Sequence, residues 1–111
     1  MSFTRKERVL STLKKVLADF LREEGGSSLL ITVTDLSISR DLKYSTVYIS
    51  IFPESMEAET LMNLEKRKKE MRNFVKIHTR LKTLPFFDLK IDEKEKNRQK
   101  IDALSQKDKL E

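Results

Sequence analysis

Apolar residues recur through residues 4–24 at three- and four-residue steps: Val9, Leu10, Leu13, Val16, Leu17, Phe20 and Leu21. Side chains at those spacings share one side of a helix, so the stretch predicts an amphipathic helix with its stripe turned to a core. Ser2 or Thr4 is placed to cap its start, and Gly25-Gly26 to stop it. Past the loop Gly25-Gly26-Ser27-Ser28, residues 29–38 and 43–52 are rich in β-branched and apolar types and read as strands. In the first, Ile31 and Val33 share one parity while Leu36 and Ile38 share the other, which predicts a bulge or twist near Asp35. In the second, Val47, Ile49 and Ile51 alternate with Thr46, Tyr48 and Ser50. Only residues 39–42, with the turn Ser39-Arg40-Asp41, lie between them, so the two strands form an antiparallel hairpin.

Pro53 closes the second strand, the acidic run 54–59 suits a helix start, and helical spacing continues over 56–81. That helix is not continuous. Leu61, Leu64 and Met71 share its apolar side, yet Arg67 and Lys68 fall between them there. Burying either charge unpaired costs on the order of several kcal/mol, so a kink or short break is expected over 67–69. Leu84-Pro85 ends the element, and residues 86–92 make a third strand with Phe87, Leu89 and Ile91 on one face. From 93 onward charged and amide residues dominate, with Ile101 and Leu104 as anchors for one helical turn. The fold class is α+β: helix, strand, strand, helix, kink, helix, strand, with the helices on one face of a three-stranded sheet. One domain is expected over 1–104, with a mobile tail over 105–111.

Charge sharpens this picture. The 111 residues hold 23 Lys and Arg against 18 Asp and Glu, an excess of five. Residues 66–82 alone carry Lys66, Arg67, Lys68, Lys69, Arg72, Lys76, Arg80 and Lys82 against Glu70, an excess of seven, so the remainder is net −2. At the helical angle Lys69, Arg72, Asn73, Lys76 and Arg80 gather on one side, and Met71, Phe74, Val75, His78 and Leu81 on the other. Arg72 and Lys76 are read as solvent-facing. A one-signed stripe backed by an apolar one presents charge to an anionic partner, whereas ordinary solvated faces mix signs. The helix restarting at the kink also brings unpaired N–H groups and a positive dipole end to the basic cluster, a place for a phosphate. Arg5 and Arg8 on the first helix, with Arg40 and Lys43 at the hairpin, form a candidate secondary contact area.

Other chemistry is thinly represented. Without cysteine there is no disulfide or thiolate metal site, and one histidine excludes a multi-histidine site. Two glycines leave no glycine-rich phosphate loop. His78 reads as a partly buried, hydrogen-bonded residue, and Asp35 and Asp41 as bulge and turn carboxylates that bond nearby backbone. Tyr44, Tyr48, Phe86 and Phe87 are the residues able to stack bases; Phe87 is assigned to the core, and Tyr44 and Tyr48 lie on the second sheet face, their role open. No apolar run approaches a membrane span and no apolar signal segment opens the chain, so a cytoplasmic, monomeric, non-enzymatic protein without metal or cofactor is expected.

The hairpin sequence resembles ribosome-binding factor A. That family shows Val-x-x-Ser-x-Asp-Leu, two residues, a small residue and Val-Tyr-Val-Ser; Leu36, Ser39, Asp41, Leu42, Ser45, Val47, Tyr48, Ile49 and Ser50 stand at those positions. Leu81-Lys82-Thr83-Leu84-Pro85 matches its Leu-x-x-Val-Pro, and Asp92 followed by Ile101-Asp102-Ala103-Leu104 its ending. The resemblance implies a type II KH-like fold and a non-catalytic factor that binds the small ribosomal subunit and its rRNA, assists late rRNA maturation, notably in the cold, and meets ribosomal proteins. KH domains grip the RNA backbone with a Gly-x-x-Gly loop, which this family replaces with an Ala-x-Gly kink. Here those positions fall on Arg67, Lys68 and Lys69, so phosphate contact passes to side chains. Gly25-Gly26-Ser27-Ser28 likewise replaces the family's Asp-Pro-Arg. The alternative is a KH-like protein–protein scaffold that no longer holds RNA.

Overall fold

The computed structural model describes residues 4–26, 28–94 and 97. Helix α1 (Arg5–Gly25) starts where extended Thr4 offers its Oγ1 to the Glu7 N–H at 3.1 Å. It stops at Gly26, whose φ of +64° favours a residue without Cβ. The predicted stripe is buried except for half-buried Leu10, with Leu13, Leu17 and Leu21 fully enclosed.

Strands β1 (Leu30–Ile38) and β2 (Tyr44–Phe52) pair antiparallel, from Leu30 opposite Phe52 to Ile38 opposite Ser45. The register slips between Val33 and Asp35, leaving Thr34 as the extra residue. This is the expected bulge, and it lets Ile31 and Val33 share the inner face with Leu36 and Ile38. Asp35 steadies it, its Oδ1 accepting the Leu36 N–H at 2.8 Å. Strand β3 (Phe86–Ile91) lies parallel to β2, giving the order β1-β2-β3 and putting the second strand at the centre. The Phe86 N–H donates to the Lys43 carbonyl and the Asp92 N–H to that of Ile49, each at 2.8 Å.

At the hairpin tip the Asp41 carboxylate accepts the Ser39 hydroxyl at 2.6 Å and the Lys43 N–H at 3.1 Å, while Ser39 Oγ accepts the Tyr44 N–H at 3.0 Å. These bonds hold Leu42 at φ +63°, in the left-handed region, with its side chain packed against the core. The Ser-x-Asp-Leu signature is thus the chemistry of one tight turn. The Ser39 bond first, then the Lys43 N–H, holds the Asp41 carboxyl below its ordinary 3.8.

A single 3₁₀ turn (Glu54–Met56) leads into α2 (Glu57–Lys66), and α3 (Lys68–His78) follows after Arg67 alone. The break falls where charge on the apolar side required it. Arg67 adopts φ −105° and ψ 14°, with its N–H on the Leu64 carbonyl at 3.0 Å. That conformation is open to any L-residue, so the junction has no need of glycine.

Helix α3 ends at His78, short of the expected 81, because Thr79 turns to an extended conformation to carry the chain back to β3. Arg80 and Lys82 therefore sit in the connecting loop and not on the helical stripe. His78 departs from expectation in its burial and not in its hydrogen bond. It is exposed, stacked on the Phe74 ring at 4.0 Å with its Nδ1 donating to the Phe74 carbonyl at 2.9 Å. At the last turn a polar ring reaches solvent and the helix's terminal carbonyls together.

Helices cover one sheet face. Leu64 of α2, and Met71 and Val75 of α3, join α1 over Val47, Ile49 and Leu89. Arg72 does not face solvent as expected. Its guanidinium reaches past the sheet edge and donates to the Leu84 carbonyl at 3.0 Å and to that of Pro85, with its carbon 4.9 Å from the Phe86 ring centroid. It clasps the start of β3 to α3. The anchors Ile101 and Leu104 and the tail 105–111 lie outside the described residues.

Two outcomes follow from these contacts. Asp41 is depressed in the folded state, so its stabilisation is present above the unfolded value near 3.8 and is lost as pH falls through the lower folded value. NMR titration should place this carboxyl below that of exposed aspartates, and D41N should remove its share of the acid sensitivity in denaturation. Separately, R72A should lose roughly 1.5–3 kcal/mol in urea denaturation, as expected for hydrogen bonds to a charged group. R72K should recover only part, since an ammonium does not fork across two carbonyls; K76A should stay within about 0.5 kcal/mol of the parent.

Candidate nucleic-acid interface

The direction of α3 is set at Arg67, and Met71 and Val75 lock its rotation by facing the core. With those positions inward, Lys69, Asn73 and Lys76 must face out. Together with Glu70 and Arg72 they line one shallow concavity on the helix surface. The charge of Glu70 is already met: Arg67 Nε donates to its Oε2 at 2.8 Å. Among the described residues neither Lys69 nor Lys76 has a carboxylate within ion-pair distance, so the concavity presents two uncompensated ammonium groups flanking an amide.

The remaining predicted cations divide. Arg67 lies between Glu24 and Glu70 and over the Phe20 ring, 5.9 Å from its centroid. Lys68 pairs with Glu65 at 2.9 Å and approaches Asp88 at 3.9 Å. Those two charges stand at the kink, where partial burial demanded partners. The dipole end of α3 is likewise answered by Glu70 in its first turn. Lys66 lines a separate groove with Arg67, Met56 and Thr60. Arg80 is exposed in the loop.

Lys82 belongs elsewhere. With Arg5 and Lys43 it rims a cleft floored by Val9, Leu42, Leu81 and Pro85, so two of the four secondary candidates meet the end of the basic segment. Asp41 also lines this cleft, its carboxylate engaged in the turn. Arg8 lies along α1 beside Glu7 and Ser11, and Arg40 projects from the hairpin tip.

The helical wheel does not show that Glu24, 43 residues before Arg67, supplies the kink's counter-charge, or that Arg72 lies over Phe86. Both are long-range contacts. Among the described residues no group of three or more His, Asp or Glu is gathered where a metal would sit. No helix there is long and apolar enough to cross a membrane.

A family model described as ribosome-binding factor A matches residues 5–105. The Flavobacterium johnsoniae ribosome-binding factor A is 31% identical over 108 residues, covering 92% of this chain and 83% of that protein. The Natranaerobius thermophilus protein of the same name is 34% identical over 96 residues, covering 84% and 73%. Among solved structures, crystalline ribosome-binding factor A from Thermus thermophilus superimposes with a TM-score of 0.68 at 24% identity, covering 78% of this chain and 93% of that one. A Thermus thermophilus model fitted into a cryo-EM map of a 30S complex gives 0.65 at 24% identity, covering 75% and 90%. Helices packed on one face of a mixed three-stranded sheet form the KH-like arrangement of those structures. The family match over residues 5–105 agrees with the hairpin signature and the kinked helix pair: the chain belongs to the ribosome-binding factor A family.

Proposed function

We propose that this chain is a non-catalytic factor that docks on the small ribosomal subunit through rRNA phosphates and assists late rRNA maturation, including growth in the cold. The observation that carries the reading is the pair of uncompensated ammonium groups, Lys69 and Lys76, flanking Asn73 on a helix whose opposite side is locked into the core. Flexible lysines suit a phosphate surface, because they neutralise charge without demanding one geometry. Arg72 adds its field from the clasp, and Lys66, Arg80 and Lys82 extend the basic strip. Arg67 and Lys68 stand behind it at the kink, their charges held by carboxylates, and set the direction of the helix. Arg5 and Lys43 supply the secondary contact at the cleft, with Arg8 and Arg40 at its flanks. Such contacts position the protein without reading sequence, so the shape of the rRNA site and neighbouring ribosomal proteins select the place. The protein acts as a cytoplasmic monomer in which residues 1–104 form the docking domain.

The neutralised charges at the kink favour one other reading, a scaffold of this fold that meets proteins instead of RNA. Charge reversal separates the two. K69E/K76E leaves every buried contact and both Arg72 hydrogen bonds in place, so its melting temperature should match the parent's. Its co-sedimentation with small subunits at moderate salt should be lost, and the slope of log affinity against log salt should fall by about 1–2. Parental co-sedimentation by this variant would remove the proposed surface and leave the scaffold.

A further inference from the structure

Two exposed aromatic sites stand on the sheet face away from the helices, and their surroundings differ. Phe52, at one end, is 70% exposed and its groove is lined by Glu54, Glu57 and Asp92. At the other end Tyr44 and Phe86 are neighbours across β2 and β3, 62% and 64% exposed, with ring centroids 6.0 Å apart and planes tilted by 33°. One cation reaches this second pair. Arg72 lies over Phe86, and Lys43, next to Tyr44 in the chain, accepts the Phe86 N–H on its carbonyl. Asp88, the acid beside them on β3, faces Lys68 at 3.9 Å.

Exposing two large rings at adjacent positions forgoes their burial on folding, and the turn that precedes Tyr44 is fixed by hydrogen bonds that do not use its ring. The rings stand side by side, and the Arg72 guanidinium lies against one of them. Arg72 joins them to the helix face, since the same residue lines the Lys69–Lys76 concavity. A polyanion lying along α3 is thus led over Arg72 onto the aromatic pair.

We infer that Tyr44 and Phe86 form a stacking subsite for unpaired bases of the RNA whose backbone lies along α3. This rests on the RNA reading of the helix face and deepens it: the ligand includes single-stranded nucleotides as well as phosphate. Base–aromatic stacking is tolerant of sequence because every base offers a π-face, and Arg adds a cation to the stack. Lys43 and Lys82 line a cleft whose Lys43 and Pro85 immediately precede Tyr44 and Phe86 in the chain. Among the described residues no lysine or arginine lines the Phe52 groove, which is why only one of the two aromatic sites is assigned.

The test uses the whole chain, a short single-stranded RNA carrying 2-aminopurine, and a duplex RNA of equal length. Binding of the parent should quench 2-aminopurine fluorescence. Y44L/F86L keeps apolar, strand-compatible side chains, and should lose about tenfold in single-strand affinity together with the quenching. Its duplex affinity and salt slope should stay parental. K69E/K76E, in contrast, should lose affinity for both RNAs and lower the slope. F86Y retains a ring and should bind as the parent does, whereas Y44L alone, which leaves Phe86 under Arg72, should lose part of the quenching and affinity, which keeps the test decisive if the double variant folds poorly. Parental quenching and affinity in Y44L/F86L, or a loss confined to whole subunits with free RNA still bound, as for a protein partner, would overturn the subsite. Parental binding by K69E/K76E alone would overturn the helix-face reading instead.

Discussion

A guanidinium does not remain in an apolar layer without counter-charge, and the placement of Arg67 follows from that constraint. Apolar spacing carries α2 as far as Leu64 and resumes at Met71, but Arg67 stands between them on the same side. The chain resolves the conflict by leaving helical geometry for one residue and setting the guanidinium between Glu24 and Glu70, beside Phe20. The new direction of α3 follows, and with it the outward row of Lys69, Asn73 and Lys76. One charge neutralised at the bend is therefore the condition for others to stay uncompensated further along. The sign contrast within residues 66–82 is organised into a locked end and an open end.

Much of this was legible in the chain because the relevant forces are local. Period-two alternation and the parity change at Asp35 specified β1 and β2 and their bulge; three- and four-residue steps specified α1; a charge in an apolar row specified the kink. Those signals need no knowledge of distant neighbours. The contacts that escaped link residues far apart in sequence. Glu24 answers Arg67 across an intervening hairpin, and Arg72 turns from the solvent side to two carbonyls and a ring because the β3 lead-in passes within its reach. Arg80 and Lys82 left the helical stripe because Thr79 takes an extended conformation, a choice made by the path to β3 and invisible to periodicity. A wheel drawn on a straight helix gives every cation equal standing, whereas packing sorts them into structural and available ones.

The same sorting applies to the hairpin. Ser39, Asp41 and Leu42 look like a recognition motif in sequence, but their bonds close on one another and on the backbone of Lys43 and Tyr44. Their contribution to any interface is indirect: they fix where the exposed ring of Tyr44 points by fixing the first residue of β2. Residues that recur in a signature and residues that touch a partner are different sets here, joined by the rigidity of a turn.

The parallel pairing of β3 with β2 has a consequence in time. The helix α1 and the β1–β2 hairpin are built from neighbours in sequence, yet Tyr44 meets Phe86 across an interval of about forty residues that must first form two helices. A nascent chain emerging from the ribosome can assemble the hairpin early, while the central strand keeps one edge unsatisfied until the last strand is synthesised. Arg72, Phe86 and Tyr44 come together only at that final step, so a fragment ending before β3 carries all the lysines of α3 without the surface they help to form.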